Sequence, residues 1–117
     1  MSAPELIYKV ATADVVAGAQ ALGRLDGMPV DAADGFIHFS TADQLAETLS
    51  RHFRGQSGLV LLAVRAAEIA ANLRWEPSRG GALFPHLYAP LPMSAVAWSA
   101  PLSVDAGGAC ILPEAVR

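Results

Sequence analysis

The chain has 117 residues, of which 53% are hydrophobic and 16% charged, so it can bury a core and is expected to form a single domain over residues 1–117. Its net charge is −3 and its arginines are scattered. It therefore lacks the basic patch that binds extended RNA or DNA, whereas a single nucleotide or another small metabolite remains open as a partner. One cysteine excludes an internal disulfide and a thiolate metal cluster.

The sequence predicts a cytoplasmic protein with no membrane partner. The N-terminus lacks the basic start and the apolar stretch of a signal peptide. The stretch Gly80–Val104 has no formal charge, but its four prolines would break a spanning helix repeatedly.

The first third of the chain predicts a strand, a helix and a loop. Leu6–Val10 is a short β-branched and aromatic run, which is typical of a strand. Thr12 is a candidate N-cap for a helix that ends at Gly23, with apolar residues at helical spacing at Val15, Ala19 and Leu22. The stretch Asp26–Asp34 contains a glycine, a proline and three aspartates, so we expect a loop there.

The middle of the chain predicts strand, helix and strand in turn. Phe36–Ser40 reads as a second strand. Thr41 and Gln44 have the spacing of a capping box before a helix that closes at Gly55 and whose apolar face is Leu45, Leu49 and Phe53. Leu59–Val64 is continuously apolar, as expected of a central strand covered on both faces.

The last part of the chain predicts a short helix at Ala66–Asn72 and further strands. Pro77–Gly81 is predicted to be a mobile loop. Phe84–Tyr88 contains a proline and is therefore expected to be an edge strand or a bulged one. Ser94–Trp98 is a further predicted strand and Ala109–Leu112 a candidate last one. Strands mixed with two clear helices indicate an α+β or mixed-sheet domain.

His38 and Ser40 are the first candidates for a functional site. Strand alternation places Phe36, His38 and Ser40 on one face, directly before a predicted helix N-terminus. Unpaired N–H groups at such an N-terminus can bind phosphate. The plainer alternative is that Ser40 or Thr41 only caps the helix, while His38 bonds a backbone carbonyl.

His86 and Tyr88 are the second candidates, because alternation places them with Phe84 on one strand face. An imidazole beside a phenol can orient a ligand or transfer a proton, but the two groups could equally bond only to each other. We expect His38, Ser40, His86 and Tyr88 to line one concave site.

Trp75 and Glu76 precede the glycine loop. Tryptophan offers a stacking surface and a glutamate could bind hydroxyls or act as a base, while Arg79 in the loop could reach a ligand phosphate. Alternatively, Trp75 is a core anchor and Glu76 pairs with Arg74 or Arg79 at the surface.

No histidine spacing supports a metal site. His52 lies near the C-terminus of the second predicted helix and is interpreted as structural, away from any site. Cys110 is interpreted as a packing residue.

Five segments carry a resemblance to a known family. They are Ile7-Tyr-Lys9, Gly35-Phe-Ile-His-Phe-Ser-Thr41, Gln44, Trp75-Glu76 and Phe84-Pro-His-Leu-Tyr-Ala-Pro-Leu-Pro92. In this order and spacing they resemble a bacterial and plant family catalogued as domain of unknown function 952, over about Leu6–Leu102.

More distantly, the pattern is similar to the ADP-ribosyltransferase fold, especially to the RNA 2′-phosphotransferases. Those enzymes have an apolar-Tyr-His strand and a His-x-Ser strand end, which Ile7-Tyr8-Lys9 and His38-Phe39-Ser40 match. The resemblance implies an α+β fold with a split, bent β core around an NAD cleft and two to three helices packed outside. Lys9 departs from that pattern, because His or Arg usually stands there.

The resemblance implies a domain that binds NAD or a related nucleotide without a metal, and that could be an NAD-dependent glycosyl- or phosphotransferase. The expected catalytic residues are His38, Glu76 and His86, and the expected cofactor-binding residues are Lys9, Ser40, Thr41, Trp75, Arg79 and Tyr88. The alternative is a non-catalytic small-metabolite-binding or protein-interaction module on the same fold.

Overall fold

The computed structural model describes residues 4–116, except for the side chain of Arg79. Within that range there are eight strands and three α-helices. In chain order they are β1 (Leu6–Thr12), α1 (Ala13–Leu22), β2 (Arg24–Leu25), α2 (Pro29–Asp34), β3 (Ile37–His38), α3 (Ala42–His52), β4 (Leu59–Arg65), β5 (Leu73–Pro77), β6 (Leu83–Leu87), β7 (Leu91–Pro92) and β8 (Val96–Leu102). Three 3-10 segments lie at Ala66–Asn72, Arg79–Gly81 and Met93–Ala95. The fold is therefore α+β, as predicted.

The first sheet is antiparallel in the order β1-β4-β8, with β4 in the centre. Both of its faces are covered, because alternate residues of β1 and β4 belong to two different apolar cores. One core contains Ile7, Ala11, Leu62 and Val64 and packs against α1. The other contains Tyr8, Val10, Leu61 and Ala63 and packs against α3. The continuously apolar β4 predicted a central strand, and this is confirmed.

The second three-stranded sheet has the order β3-β6-β5 and is also antiparallel. Within the described residues, one isolated β-bridge links it to the first sheet, since the backbones of Tyr8 and Ser40 exchange N–H···O=C bonds of 2.8 and 2.9 Å. This bridge brings Lys9 of β1 close to the end of β3. β2 and β7 form a separate antiparallel pair.

The prediction that the proline-containing strand lies at a sheet edge is wrong, because β6 is the central strand of its sheet. The Pro85 carbonyl accepts a bond from the Phe39 N–H at 3.0 Å, so the missing N–H of Pro85 faces the same side. On that side β3 is only two residues long. The proline therefore removes one bond from a short ladder and leaves the longer pairing with β5 intact.

The prediction of a loop throughout Asp26–Asp34 is also wrong, because Pro29–Asp34 forms α2. Proline is favoured at the first helical position, and the Asp31 carboxylate accepts a 2.6 Å bond from the Met28 N–H at the helix start. Gly35 ends the helix with φ at 86°. Gly27 is required just before the helix, because a Cβ there would lie 2.8 Å from the Asp31 Cβ.

Most of the other elements match the predictions in kind, with shifted bounds, and the candidate strand Ala109–Leu112 is the exception. The capping box of Thr41 and Gln44 is confirmed, but α3 ends at His52 rather than at Gly55. Thr12 stands at the N-cap of α1 without a side-chain cap bond, and Gly23 ends that helix as predicted. Ala66–Asn72 is 3-10 rather than α-helical, β8 begins at Val96, and Ala109–Leu112 forms no strand. No helix within the described residues is long and apolar enough to cross a membrane.

Candidate functional site

A cavity of about 550 Å³ opens between β1, α2, α3 and β6, a size typical of small-molecule sites. The three histidines of the chain all line it. Its other polar lining residues within the described part are Tyr8, Lys9, Asp34, Ser40, Thr48, Gln56 and Ser78. Apolar walls come from β1, α2 and the phenylalanines Phe39, Phe53 and Phe84. The chain thus brings its imidazoles to one place.

The β3–β6 register sets the two strand histidines side by side. His38 is directly opposite His86 in the antiparallel ladder. The backbone N–H of His38 donates to the Asp31 side chain instead of to β6, so this is a non-hydrogen-bonded pair. Opposed side chains are closer in such a pair than in a hydrogen-bonded one. The two ring centroids are accordingly 5.5 Å apart at an interplanar angle of 70°.

The Asp31 carboxylate holds His38 and Lys9 together. Its Oδ1 accepts from the backbone N–H of His38 at 3.0 Å and from the ring Nδ1 at 2.7 Å. Its Oδ2 accepts from the Lys9 Nζ at 2.7 Å and from the Met28 N–H at 2.6 Å. Four donors satisfy the carboxylate, which is necessary because its side chain is only 1% exposed.

This buried ion pair changes the pKa values of both partners. Burial by itself raises the pKa of Asp31, but the His38 hydrogen bond and the Lys9 charge outweigh it and hold that pKa at about 2. Burial lowers the pKa of Lys9, against the opposing effect of the Asp31 charge. An ionised Asp31 can only accept hydrogen bonds, so the Nδ1 of His38 carries a hydrogen.

The second nitrogen of His38 faces a different carboxylate. Its Nε2 lies 2.9 Å from Oδ2 of Asp34, the last residue of α2. The Asp34 side chain is 48% exposed and lines the cavity. His38 is therefore fixed on its buried side and has an exchangeable partner on its cavity side.

Glu76 orients His86 in a similar way. The two residues lie on neighbouring strands, and Oε1 of Glu76 is 2.8 Å from the His86 Nδ1. The same oxygen accepts from the Tyr88 hydroxyl at 2.6 Å. His86 is only 5% exposed, and Phe36 stacks on its ring at a centroid distance of 4.1 Å. Within the described residues, its Nε2 has no hydrogen-bond partner.

The hydrogen bonds at Glu76 favour its ionised form. The Tyr88 hydroxyl and then His86 lower the pKa of Glu76. The same contact raises the pKa of Tyr88, because the carboxylate disfavours a phenolate beside it. An ionised Glu76 accepts the hydrogen on the His86 Nδ1, so the buried Nε2 of a neutral ring is left as a proton acceptor.

Side chains at the start of α3 bond mainly to one another. The hydroxyl oxygens of Ser40 and Thr48 are 2.8 Å apart, and both residues line the cavity. The Thr41 hydroxyl accepts from the Gln44 N–H, and the Gln44 Oε1 accepts from the Thr41 N–H. The helix N-terminus is thus capped by its own side chains, and Thr41 is not a lining residue.

The structure brings together His38, Ser40, His86 and Lys9 of the residues singled out in the sequence. Glu76 and Tyr88 lie behind His86 and do not line the cavity, and Trp75 packs against the first core. The predicted reach of Arg79 concerns a side chain outside the described residues. In the described part, no group of three or more His, Cys, Asp or Glu side chains could hold a metal ion.

Sequence reasoning missed Asp31, Asp34 and His52. The first two lie in the stretch for which the sequence predicts a loop. The interpretation of His52 as remote from any site is wrong, because it lines the cavity. The available signal was its spacing: Thr48 and His52 are four residues apart and therefore share one helix face.

Comparison with known proteins agrees with the family resemblance. The profile of the family described as "Protein of unknown function (DUF952)" matches residues 10–99. Protein CC0527 from Caulobacter crescentus has 51% sequence identity to this chain. Its X-ray crystal structure matches with a TM-score of 0.86, and the match covers 91% of this chain and 93% of that one. The solution NMR structure of CC0527 is 51% identical, with a TM-score of 0.78 over 90% of each chain. None of the curated proteins matches the chain.

Proposed function

We propose that this chain, which belongs to the DUF952 family, has an ADP-ribosyltransferase-like fold and binds NAD or a related nucleotide in the cavity between β1, α2, α3 and β6. The observation that carries the proposal is the buried Nε2 of His86, which lacks a partner within the described residues while its ring lines the cavity. A buried unpaired polar group costs roughly 1–3 kcal/mol, so such an atom is expected to meet a ligand or water.

The lining groups favour a ligand that carries negative charge and hydroxyls. Lys9 and the imidazoles of His38, His52 and His86 line the cavity and supply nitrogen groups for hydrogen bonds to such a ligand. Ser40 and Thr48 add hydroxyls that both donate and accept. Phosphates and ribose hydroxyls of a nucleotide offer matching partners, and the aromatic and aliphatic walls suit a flat ring.

His86 has the geometry of a general base. Glu76 holds its Nδ1 hydrogen, so its Nε2 can take the proton from an acceptor hydroxyl in the cavity. A bound NAD would supply the glycosidic bond at the ribose C1′, which breaks as nicotinamide leaves and the acceptor oxygen bonds to C1′. Glu76 does not line the cavity, so we assign it the positioning of His86 rather than contact with the ribose.

The rival function is a non-catalytic module that binds a small metabolite. The orientation of two carboxylates favours it, because Asp31 and Glu76 face histidines rather than the cavity. Among the described lining residues, one is acidic, namely Asp34, and its carboxylate contacts His38. Binding through oriented imidazoles requires no further acid.

Calorimetric titration with NAD and with ADP-ribose tests the proposal. We expect both to bind, and His38→Ala, Ser40→Ala and His86→Ala each to weaken binding by about five- to a hundredfold, because a buried polar contact is worth roughly 1–3 kcal/mol. Gln20→Ala is the control, since Gln20 is exposed on α1 outside this cavity. No heat with millimolar nucleotide would sink the proposal. Binding without nicotinamide release, followed by proton NMR, would favour the non-catalytic module.

A further inference from the structure

We propose that the Nε2 side of His38 is an oxyanion subsite of the cavity, and that the Asp34 carboxylate occupies it until an oxyanion of the ligand displaces it. This inference rests on the proposed function in one respect, namely that the ligand binds in the same cavity. It names the ligand chemistry required at one atom, namely a phosphate or carboxylate oxygen at the Nε2 of His38.

The His38 ring is held in place from its buried side. Asp31 accepts both its backbone N–H and its Nδ1 hydrogen, at 3.0 and 2.7 Å. Asp31 is itself fixed by Lys9 and by the start of α2. The direction in which Nε2 points is therefore set before any ligand arrives.

Asp34, by contrast, is held weakly. It is the last residue of a six-residue helix, and its side chain is 48% exposed. Within the described residues, His38 is its only hydrogen-bond or ion-pair partner. A half-exposed ion pair contributes little to stability, so moving this side chain into solvent has a small cost.

The contact itself indicates what belongs there. A carboxylate oxygen lies 2.9 Å from Nε2, and a carboxylate only accepts, so the contact suits a ring that donates from this nitrogen. Lys9 and His52 line the same cavity, so further nitrogen groups that can donate hydrogen bonds lie near this position. An incoming oxyanion can replace the Asp34 oxygen while keeping the same bond.

His86 differs at the corresponding atom. Its Nε2 faces no carboxylate within the described residues, and its ring is buried. The two opposed rings therefore present different surroundings to one ligand: the Nε2 of His38 already has a carboxylate partner, whereas the Nε2 of His86 has none within the described residues. The ligand should present an oxyanion to the first and a hydroxyl to the second.

Inorganic phosphate tests the subsite without relying on any nucleotide. The dissociation constant is measured from the imidazole nitrogen resonances at about pH 6, where an ordinary imidazole is largely protonated. In the unmodified protein we expect phosphate to shift the His38 Nε2 signal. In Asp34→Asn and Asp34→Ala we expect phosphate to bind about tenfold more tightly, because a competing carboxylate and its repulsion are removed.

Asp43→Asn is the matched control, because it removes the same charge from an exposed position on α3 outside the cavity. If phosphate binds the Asp43→Asn protein as tightly as it binds the Asp34 variants, the subsite is overturned, because the gain in affinity would then come from the change in net charge alone. Unchanged or weaker phosphate binding in both Asp34 variants, or phosphate shifts that bypass His38, would also overturn it. If phosphate behaves as expected but NAD and ADP-ribose do not bind, the subsite stands and the proposed function fails.

Discussion

The two histidine clusters of the cavity use the same contact in very different surroundings. In both, a carboxylate accepts from the Nδ1 of a strand histidine, at 2.7 Å in the His38 cluster (Lys9, Asp31, His38) and 2.8 Å in the His86 cluster (Glu76, His86, Tyr88). The carboxylate is 1% exposed in the first cluster and 36% exposed in the second. The ring burial is reversed, since the His86 side chain is 7% exposed and that of His38 33%.

The difference in burial between the two carboxylates indicates that one cluster serves mainly the fold and the other mainly the ligand. Asp31 ties β1, α2 and β3 together, so the His38 cluster stabilises the fold as well as the site. Glu76 joins side chains on or just beyond two neighbouring strands that already pair through their backbones. We therefore expect loss of the Asp31 charge to act mainly on stability, and mutations in the second cluster to act mainly on the ligand.

The largest effect is expected from Asp31→Asn. Removing this charge leaves Lys9 buried without its counterion, which typically costs about 3–5 kcal/mol of unfolding free energy. Urea denaturation measures this loss of unfolding free energy. Glu76→Gln is the matched variant, and we expect it to lose much less. Adding Lys9→Met to Asp31→Asn should recover part of the loss. Equal losses in the two single variants would break the comparison.

The loss of stability at low pH should reveal the same contrast between Asp31 and Glu76. The pKa of Asp31 is about 2 in the folded protein against 3.8 in the reference state, so folding favours its ionised form. Its contribution is fully present above about pH 4–5 and is lost as the pH falls towards 2. A shift of this size corresponds to a loss on the order of 2 kcal/mol. Urea midpoints measured from pH 6 down to pH 2 check this.

In Asp31→Asn this part of the acid dependence should be absent, whereas Glu76→Gln should keep it. The pKa of Glu76 is also lowered, so its own contribution has the same sign. An acid loss that persists unchanged in Asp31→Asn would assign the effect to other carboxyls.

A smaller effect is expected from Glu76→Gln on ligand binding. Glu76 does not line the cavity, so its loss should loosen the His86 ring without removing a ligand contact. We expect ADP-ribose to bind a few-fold more weakly than to the unmodified protein, and clearly better than to His86→Ala. Calorimetry on the two variants sharpens the comparison, and a loss as large as that of His86→Ala would mean that Glu76 contacts the ligand directly.

The smallest effect concerns Tyr88. Glu76 raises the pKa of this phenol, so Tyr88 should ionise above pH 10.0, and Glu76→Gln should bring its pKa back towards that value. Titration of the tyrosine ring carbon by NMR resolves Tyr88 from Tyr8. A Tyr88 pKa that is the same in both proteins would show that the 2.6 Å contact does not persist in solution.

Elements set by local pattern were predictable from the sequence. The continuous apolar run of β4 and the capping box of α3 specify a covered strand and a helix start without knowledge of the rest of the chain. The sequence did not predict α2, because aspartates are frequent in loops. Pro29 at its first position and Gly35 after its end are nevertheless helix signals.

The site was only half predictable for a related reason. Alternation placed His38 with Ser40 and His86 with Tyr88, but it cannot give the register that sets His38 opposite His86. The tie between Lys9 and Asp31 joins residues far apart in sequence. Such partners appear only when the sheets are assembled, which is why Asp31 was not recognised as the carboxylate beside His38.

Titration of ADP-ribose into the protein, followed by the imidazole nitrogen resonances, tests the central claim most directly. If the two clusters face one ligand, the His38 and His86 signals will shift along a single saturation curve, while the backbone amide of Gln20 on α1 stays unchanged. A saturating concentration of ADP-ribose that moves neither ring, or that moves one ring and leaves the other at its starting position, would contradict a shared nucleotide site.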